Sequence, residues 1–393
     1  MPNLRCRPPF WKEGNPLKFL HLADLHLGKN VCGFSMLEDQ RYILGQILQI
    51  CDGQKPDAVL LAGDIYDRAL PPADAVQLLD WFLTELHRRN LPVFLISGNH
   101  DSAERLEFGA ALMEQSNVYI SHPLADTNRA YTRNDEFGPV HIWLLPFLRP
   151  GDVRAAFGED AADVHSYEEA VQFVLDRFPL NPSERNVLVA HQFVLGSERS
   201  DSEDASIGTV DAIPGNLFRD FDYVALGHIH KPQNMGRGIR YPGTPLKYAF
   251  SEIHQQKSTT LVTLGPKGSL DLNTVPLRPL REMKEVRGTY EEVTDLDGTD
   301  EDYVRIVLTE EQDIPNAVNK LRLHYPHLME LDYDNTRTRC REQIDSAKKI
   351  EDKTPQELFA ELFEAQNGRP MSEEQENLLQ DVIKSVWKED ASE

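Results

Sequence analysis

Five short clusters punctuate the first 230 residues of this chain: Asp24-Leu25-His26, Gly63-Asp64 followed by Asp67, Gly98-Asn99-His100-Asp101, His191, and Gly227-His228-Ile229-His230. Most follow a short apolar run that reads as a strand. This placement constrains the fold, because α/β sheets gather their ligands in the loops beyond the C-terminal ends of strands. The chain must therefore bring several strand ends to one edge. Every cluster offers hard oxygen or imidazole donors, and together they could hold two metal ions. Paired metals are a standard device for cutting phosphate esters, so phosphoester hydrolysis is the expected chemistry.

The elements around the clusters fit that picture. Strands are expected at Phe19 to Ala23, Ala58 to Ala62, Val93 to Ile96, His141 to Leu145, Asn186 to Ala190 and Asp222 to Leu226, with a β-rich stretch from Ser258 to Val275. Helices are expected at Met36 to Cys51, where Leu37, Ile43, Leu44, Ile47 and Leu48 recur at helical spacing, and at Ala73 to Arg89. The fold class is α/β: two facing sheets flanked by helices, with the clusters along one edge. Pro276 to Pro279 marks a boundary. Beyond it, strands at Met283 to Val293, Tyr303 to Thr309 and Leu328 to Tyr333, with a helix at Ile314 to His324, make a small α+β module. Two amphipathic helices close the chain, each opened by capping residues, Thr354-Pro355-Gln356-Glu357 and Ser372-Glu373-Glu374-Gln375. The expected divisions are an N-terminal extension (1–17), a main domain (18–279), the module (280–336), a linker (337–352) and the helix pair (353–393).

The chain has 393 residues, of which 40% are hydrophobic, enough for a sizeable core. No run approaches the roughly 18 apolar residues of a membrane span, and the basic N-terminus lacks the apolar stretch of a signal peptide. The four cysteines, Cys6, Cys32, Cys51 and Cys340, form no CxxC pair, which argues against a disulfide framework or a thiolate zinc site. A reducing, cytoplasmic setting fits. The net charge of −23 suits an acidic enzyme with a small substrate better than a nucleic-acid binder. Bound cations reverse the sign locally, however, and much of the acid lies late, as in Glu291 to Asp302. Any grip on DNA would be local or shared with a partner.

Singly, most clusters are weak signals. A D-x-H pair arises by chance, and Gly-Asp is common in turns. Asp64 is the candidate bridging ligand, since a carboxylate can meet two cations. Asp67 is placed to orient a catalytic group, and a surface turn would explain it nearly as well. The G-N-H-D run is the most specific: Asn99 can lend its carbonyl oxygen to a metal, leaving His100 to act on the leaving group. Asp101 reads as a loop pin. His191 alone would pass for a core histidine, whereas His228 and His230, two apart after a strand, supply two imidazoles. The other eight histidines read as structural or surface residues, with His21 a strand residue near the site. Lys29, Arg68 and Lys247, with Arg41 and Arg105, are candidate phosphate contacts. P-loop, GxSxG, HExxH and EF-hand patterns are absent.

The order D-x-H, GDxxD, GNHD, H, GHxH resembles that of the calcineurin-like metallophosphoesterases. Two longer strings, Phe19 to Lys29 (FLHLADLHLGK) and Tyr241 to Glu252 (YPGTPLKYAFSE), resemble the nuclease subunits of bacterial SbcC–SbcD complexes within that superfamily, and the likeness covers roughly residues 18 to 390. The resemblance implies a four-layer αββα sandwich with a small capping domain and a C-terminal helix pair that docks on the SbcC ATPase. It implies one metal on Asp24, His26, Asp64 and His230, a second on Asp64, Asn99, His191 and His228, and His100 as the catalytic histidine. Manganese is the metal it implies. The activity would be double-strand exonuclease with single-strand and hairpin endonuclease, in DNA replication, recombination and repair, by a nuclease homodimer within a heterotetramer. Asp67 departs from the pattern, standing where archaeal and eukaryotic relatives usually carry histidine. A small-molecule phosphodiesterase or a protein phosphatase would share the five clusters but would not need the module or the helix pair.

Overall fold

The structure is a computed structural model that describes residues 15–122, 128–203, 211–295 and 298–336, with a few single positions besides. Residues 1–14 of the expected extension, the linker and nearly all of the helix pair lie outside the described residues. From the pair, Ser372 and Gln375 exchange reciprocal capping bonds, N–H to Oε1 at 2.9 Å and N–H to Oγ at 3.4 Å. The chain forms two compact units, the first holding the described residues to Met283 and the second those from Lys284.

Two six-stranded sheets build the first unit. One runs, side by side, Leu270–Pro276, Ser258–Leu264, Leu17–Leu22, Ala58–Ala62, Val93–Ile96 and Val118–Ile120. The other runs Gln233–Gly236, Ile239–Tyr241, Tyr223–Gly227, Arg185–His191, Gly138–Leu145 and Tyr131–Asp135. Side-chain alternation along each strand makes the layers. Val187 and Val189 join Leu60, Ala62, Phe94 and Ile96 in a core between the sheets. Their neighbours Leu188 and Ala190 turn the other way, into a core with Val153, Ala170, Val171 and Val174 of the helices Pro150–Phe157 and Tyr167–Leu175. On the first sheet, Val59 and Leu61 are likewise buried opposite that shared core, and the helices Leu37–Gln54 and Ala73–Arg88 present buried apolar faces of Ile43, Leu44, Ile47 and Leu48 and of Leu78, Leu79, Phe82 and Leu86. Strands covered on both faces read as continuous apolar runs, which is why Ala58–Ala62 and Val93–Ile96 have the bounds expected from sequence. Among the described residues no helix is long and apolar enough to cross a membrane.

The second unit has three strands, Met283–Gly288, Tyr303–Leu308 and Leu328–Tyr333, and its core gathers Val293, Val304, Ile306, Leu308, Leu321 and Tyr325. Here the expectation of one strand from Met283 to Val293 is corrected. The strand stops at Gly288 and Tyr290–Thr294 is a helix, because Thr289 and Glu292 form a capping box. The helix expected at Ile314 to His324 is shorter, Ala317–Leu321. In the first unit, the strand Tyr131–Asp135 and the two helices between Pro150 and Leu175 were not anticipated.

One buried ion pair ties the sheets together away from the site. Arg185 and Asp135 are 2% and 1% exposed. The guanidinium donates to Asp135 (2.9 Å) and to the carbonyls of Gly138 (2.6 Å), Gly265 (3.1 Å) and Leu264 (3.3 Å). Burial alone would raise the Asp135 carboxyl, but hydrogen bonds from Arg185 and from the N–H groups of Phe137 and Leu17 outweigh it and hold it below its usual value. Its stabilisation is therefore complete above the ordinary carboxylate range and is lost as pH falls through the lowered folded value. Asp135→Ala leaves Arg185 buried without its counter-charge and is expected to cost about 3–5 kcal/mol in urea unfolding at neutral pH.

Candidate metal centre

The parallel neighbours Leu17–Leu22, Ala58–Ala62 and Val93–Ile96 end side by side. The loops that follow carry Asp24 and His26, Asp64, and Asn99 and His100 to a common edge. In the second sheet His191 ends its strand opposite Gly227, directly before His228. The loops are zipped to one another: Asp24 N–H donates to Gly63 O at 3.1 Å and His26 N–H to Asp64 O at 3.0 Å. The two sheets meet here as well, through His228 N–H on Asp24 Oδ1 (2.9 Å) and His191 Nδ1 on Ala62 O (2.8 Å).

This convergence needs unusual backbone. Asp24, His26, Asp64 and His228 have φ of 54°, 44°, 47° and 105°, in the left-handed half of the map that side chains other than glycine rarely enter. Strain of this kind persists where the surroundings over-determine it, and it clusters at functional sites. Two glycines make the packing feasible. A Cβ on Gly227 would sit 1.8 Å from Ala62 O, and one on Gly98 would sit 2.1 Å from Asp64 Oδ1. Neither position admits any side chain.

The donor atoms fall into two groups around one oxygen. Asp64 Oδ2 lies 3.7 Å from His26 Nε2 and 3.4 Å from His191 Nε2. On one side, His26 Nε2 faces His230 Nε2 at 3.0 Å, with Asp24 close enough to complete a ligand group. On the other, Asn99 Oδ1 faces His191 Nε2 at 3.0 Å and His228 Nδ1 at 2.9 Å. The other carboxylate oxygen, Asp64 Oδ1, accepts from His100 N–H at 3.0 Å. The sequence suggested that each carboxylate oxygen would serve one cation; the geometry instead points a single oxygen between the two groups and anchors the other.

These residues fit a pair of cations. His191 Nδ1 lies on the Ala62 carbonyl and keeps its proton there, so Nε2 is the nitrogen a cation would take. Asp24 Oδ2 and His26 Nδ1 are buried with no hydrogen-bond partner. Burial pushes His26 and His228 well below the ordinary imidazole value, leaving them neutral, the form that ligates metal. Burial raises Asp24. Burial would lower His191 too, but Asp64 and Asp24 overcome it and lift it to about 9. The second proton, on Nε2, supplies positive charge that the carboxylates demand, and a cation there would displace it and supply the same charge. Facing lone pairs, an orphaned carboxylate oxygen and an all-O/N donor set match divalent metals of the zinc, manganese, iron and magnesium group.

The sequence comparisons agree with this geometry. The calcineurin-like phosphoesterase family matches residues 17–232, and the type 5 capsule protein repressor C-terminal domain matches residues 278–367. A protein from Staphylococcus epidermidis, named as the SbcD component of nuclease SbcCD, is 33% identical over 323 residues, covering 80% of this chain and 85% of that one. Its namesake from Staphylococcus saprophyticus is 31% identical over 384 residues, covering 95% and 99%. This chain is a calcineurin-like phosphoesterase of the SbcD family. It is a metal-dependent phosphodiesterase with nuclease function.

The strings that carry the family likeness have physical work at this centre. Gln40 ties down the Asp24–His26 loop, accepting from Gly28 N–H (3.0 Å) and donating to His26 O (2.7 Å) and Tyr248 Oη (3.0 Å). Tyr248 Oη–H donates in turn to Leu25 O at 2.7 Å. Glu252, fully buried, stands 3.7 Å from His230 Nδ1 and pairs with Lys257 at 2.7 Å; Ser202 bridges Glu252 and His230. Burial would raise Glu252, yet His230 and Lys257 hold it well below the usual carboxylate range. Sequence reasoning did not single out Gln40, Ser202, Glu252 or Lys257 for the site, since their partners are distant in sequence.

The remaining candidates are placed as follows. His100 Nδ1 lies 3.0 Å from the Asp67 carbonyl, which turns Nε2 toward Asp64 Oδ2 at 3.9 Å. The Asp67 carboxylate pairs with Lys29 at 2.8 Å and lies 3.8 Å from His26 Nδ1. Asp101 pins the loop, accepting from the N–H groups of Ile65, Tyr66 and Gly98 at 2.9–3.0 Å. Lys247 is engaged by Glu282 and Ile253 O. Arg41 lies over Trp81, and Arg68 projects into solvent, 62% exposed. His21 is a buried neutral histidine, lowered to about 3 by burial and Arg240, and bonded to Tyr223 Oη and Leu226 O. Because Glu252 orients His230 without facing the metals, Glu252→Gln is expected to weaken metal binding about 10–100-fold by calorimetry while the fold persists.

Proposed function

We propose that this chain is a two-metal DNA nuclease, a double-strand exonuclease and single-strand or hairpin endonuclease acting with an SbcC-type ATPase in DNA end processing, recombination and repair. One metal is held by Asp24, His26, Asp64 and His230, the other by Asp64, Asn99, His191 and His228, and manganese is the ion we favour. The observation that carries this reading is Asp64 Oδ2, set between two complete donor groups. Bound there, two divalent ions would supply a water acidic enough to attack phosphorus and positive charge for the phosphoryl oxygens.

The chain's own residues do the rest. With its Nδ1 held on the Asp67 carbonyl, His100 turns Nε2 inward, the nitrogen through which a proton can pass to the departing sugar oxygen. Asp67 thus acts through its main chain on His100, while its carboxylate keeps Lys29 at the rim of the site. Asn99 lends its oxygen inward and leaves its amide for the substrate. Arg68, the exposed cation beside Asp67, is the best placed of the three proposed DNA contacts, ahead of Lys29 and Lys247. Assembly is proposed on the relatives' name, which makes them one component of a complex, with residues 353–393 as the docking segment and 280–336 as the capping domain. A homodimer of the nuclease chain is supported by large apolar side chains left open to solvent, Phe108 at 83% and Leu112 at 72%. The proposed setting is the cytoplasm, at the nucleoid.

The test is a nuclease assay on plasmid and hairpin DNA beside a small phosphodiester, with and without an ATPase partner. Chelation should abolish cleavage and manganese restore it. His100→Ala is expected to bind two metals by calorimetry yet lose about 10²–10⁴-fold in kcat; full activity in that variant would remove His100 from the mechanism. Truncation before Thr354 should leave cleavage of short DNA intact but abolish co-elution with SbcC, and retained co-elution would move the docking site elsewhere.

A further inference from the structure

A cavity of about 550 Å³ opens beside the His100 loop, lined in part by Gly98, Ser102, Phe147 and Arg149. Pockets of this size seat small organic ligands, burying most of their surface. Its wall is continuous with the metal centre. The Phe147 ring lies nearly parallel to His228, at 17° with centroids 6.1 Å apart, and edge-on to His191 at 6.0 Å. Phe147 is held there by its main chain, whose N–H donates to Ser97 O at 3.0 Å. The Arg149 guanidinium lies over the same ring at 5.2 Å, and its side chain is 54% exposed. The stack His228–Phe147–Arg149 therefore runs outward from a candidate metal ligand and ends in a planar cation open to solvent. Asp152 makes a loose, solvent-exposed ion pair with Arg149 at 3.9 Å.

The charges around the cavity narrow what can occupy it. Glu104, Glu107 and Asp152 line it together with Arg149. Those carboxylates repel a run of phosphates, so a backbone cannot thread through. A flat, uncharged group with one anionic end fits: the planar part can extend the stack, since nucleobases stack on aromatic rings and on guanidinium planes alike, the carboxylates can accept from exocyclic amines, and the anionic end points to the metal centre.

We propose that this cavity seats the nucleoside flanking the scissile phosphate, with its base stacked on the Phe147–Arg149 pair. The proposal rests on the nuclease reading and deepens it: Phe147 and Arg149 are binding residues that hold one unpaired nucleotide at the cut. A base within a duplex cannot enter, so strand ends and unpaired segments are the favoured substrates.

The test pairs protein variants with substrate variants. Trinucleotides carrying all bases, or lacking one base at each position in turn, are cleaved by full-length protein in manganese. The protein is wild type, Arg149→Ala, which alters an exposed side chain, or Phe147→Leu, which keeps bulk but removes the ring. Metal content is measured in each. On the intact trinucleotide, both variants should raise KM about ten-fold with kcat little changed. Removing the base at one flanking position should raise wild-type KM by a similar factor and erase the difference between wild type and variants. Variants that lose equally on intact and abasic substrates, or that leave KM unmoved, would overturn the proposal, as would a wild type indifferent to every missing base. A wild type that cuts no trinucleotide but still cuts longer DNA would also overturn it, whereas one that cuts no DNA at all would bring down the nuclease reading itself.

Discussion

Asp64 has to do two things that oppose each other. One oxygen must be fixed so that the carboxylate cannot turn, and the other must stay turned between two groups of imidazoles. The His100 N–H meets the first need, and burial keeps water from meeting the second. Much of the surrounding structure serves that arrangement. The left-handed backbone at Asp64 aims the side chain across the strand ends, and Gly98 leaves the space that its oxygen fills. Asp101 gathers three N–H groups of the two loops so that His100 stays in place to donate. A buried carboxylate with three imidazoles within 4 Å, His26, His100 and His191, is tolerable only where positive charge is supplied, by a proton on His191 or by cations.

How much of this could be read beforehand depended on the distance between partners in the chain. Strands buried on both faces announce themselves as short apolar runs, and Ala58–Ala62 and Val93–Ile96 kept their expected limits. The residues that converge at the candidate centre were legible because most follow such a run and because Asp, Asn and His are costly to bury without purpose. Tyr131–Asp135 was missed because edge strands need only half an apolar pattern, here YTRND. The break at Gly288 was missed because a β-like sequence hid the Thr289-to-Glu292 cap. Glu252 and Ser202, some 20 to 50 residues from each other and from His230, carry no local signal; only the fold brings them together. The same holds for Gln40 and Tyr248, which are 208 residues apart.

The acidity of the chain also takes on a different meaning. A net charge of −23 would repel DNA from most of the surface. Of the candidate basic residues, Lys29 and Lys247 are paired with Asp67 and Glu282. Attraction must then come from the metals, from a few exposed guanidinium groups such as Arg68 and Arg149, and from whatever partner is present. Such a surface disfavours indiscriminate binding along a duplex, in keeping with the proposed engagement at strand ends and unpaired segments.

The donor groups draw from both sheets: Asp24, His26, Asp64 and Asn99 from the loops of one, His191, His228 and His230 from the other. Cations bound between them would act as rivets across that edge of the sandwich. By mass action, a hundredfold excess of metal over its dissociation constant adds about 2.7 kcal/mol per independent site to the folded state. On the proposed ligand set, metal supply would therefore govern the lifetime of this protein as well as its activity, and a cell short of the ion would hold a looser, more protease-sensitive nuclease.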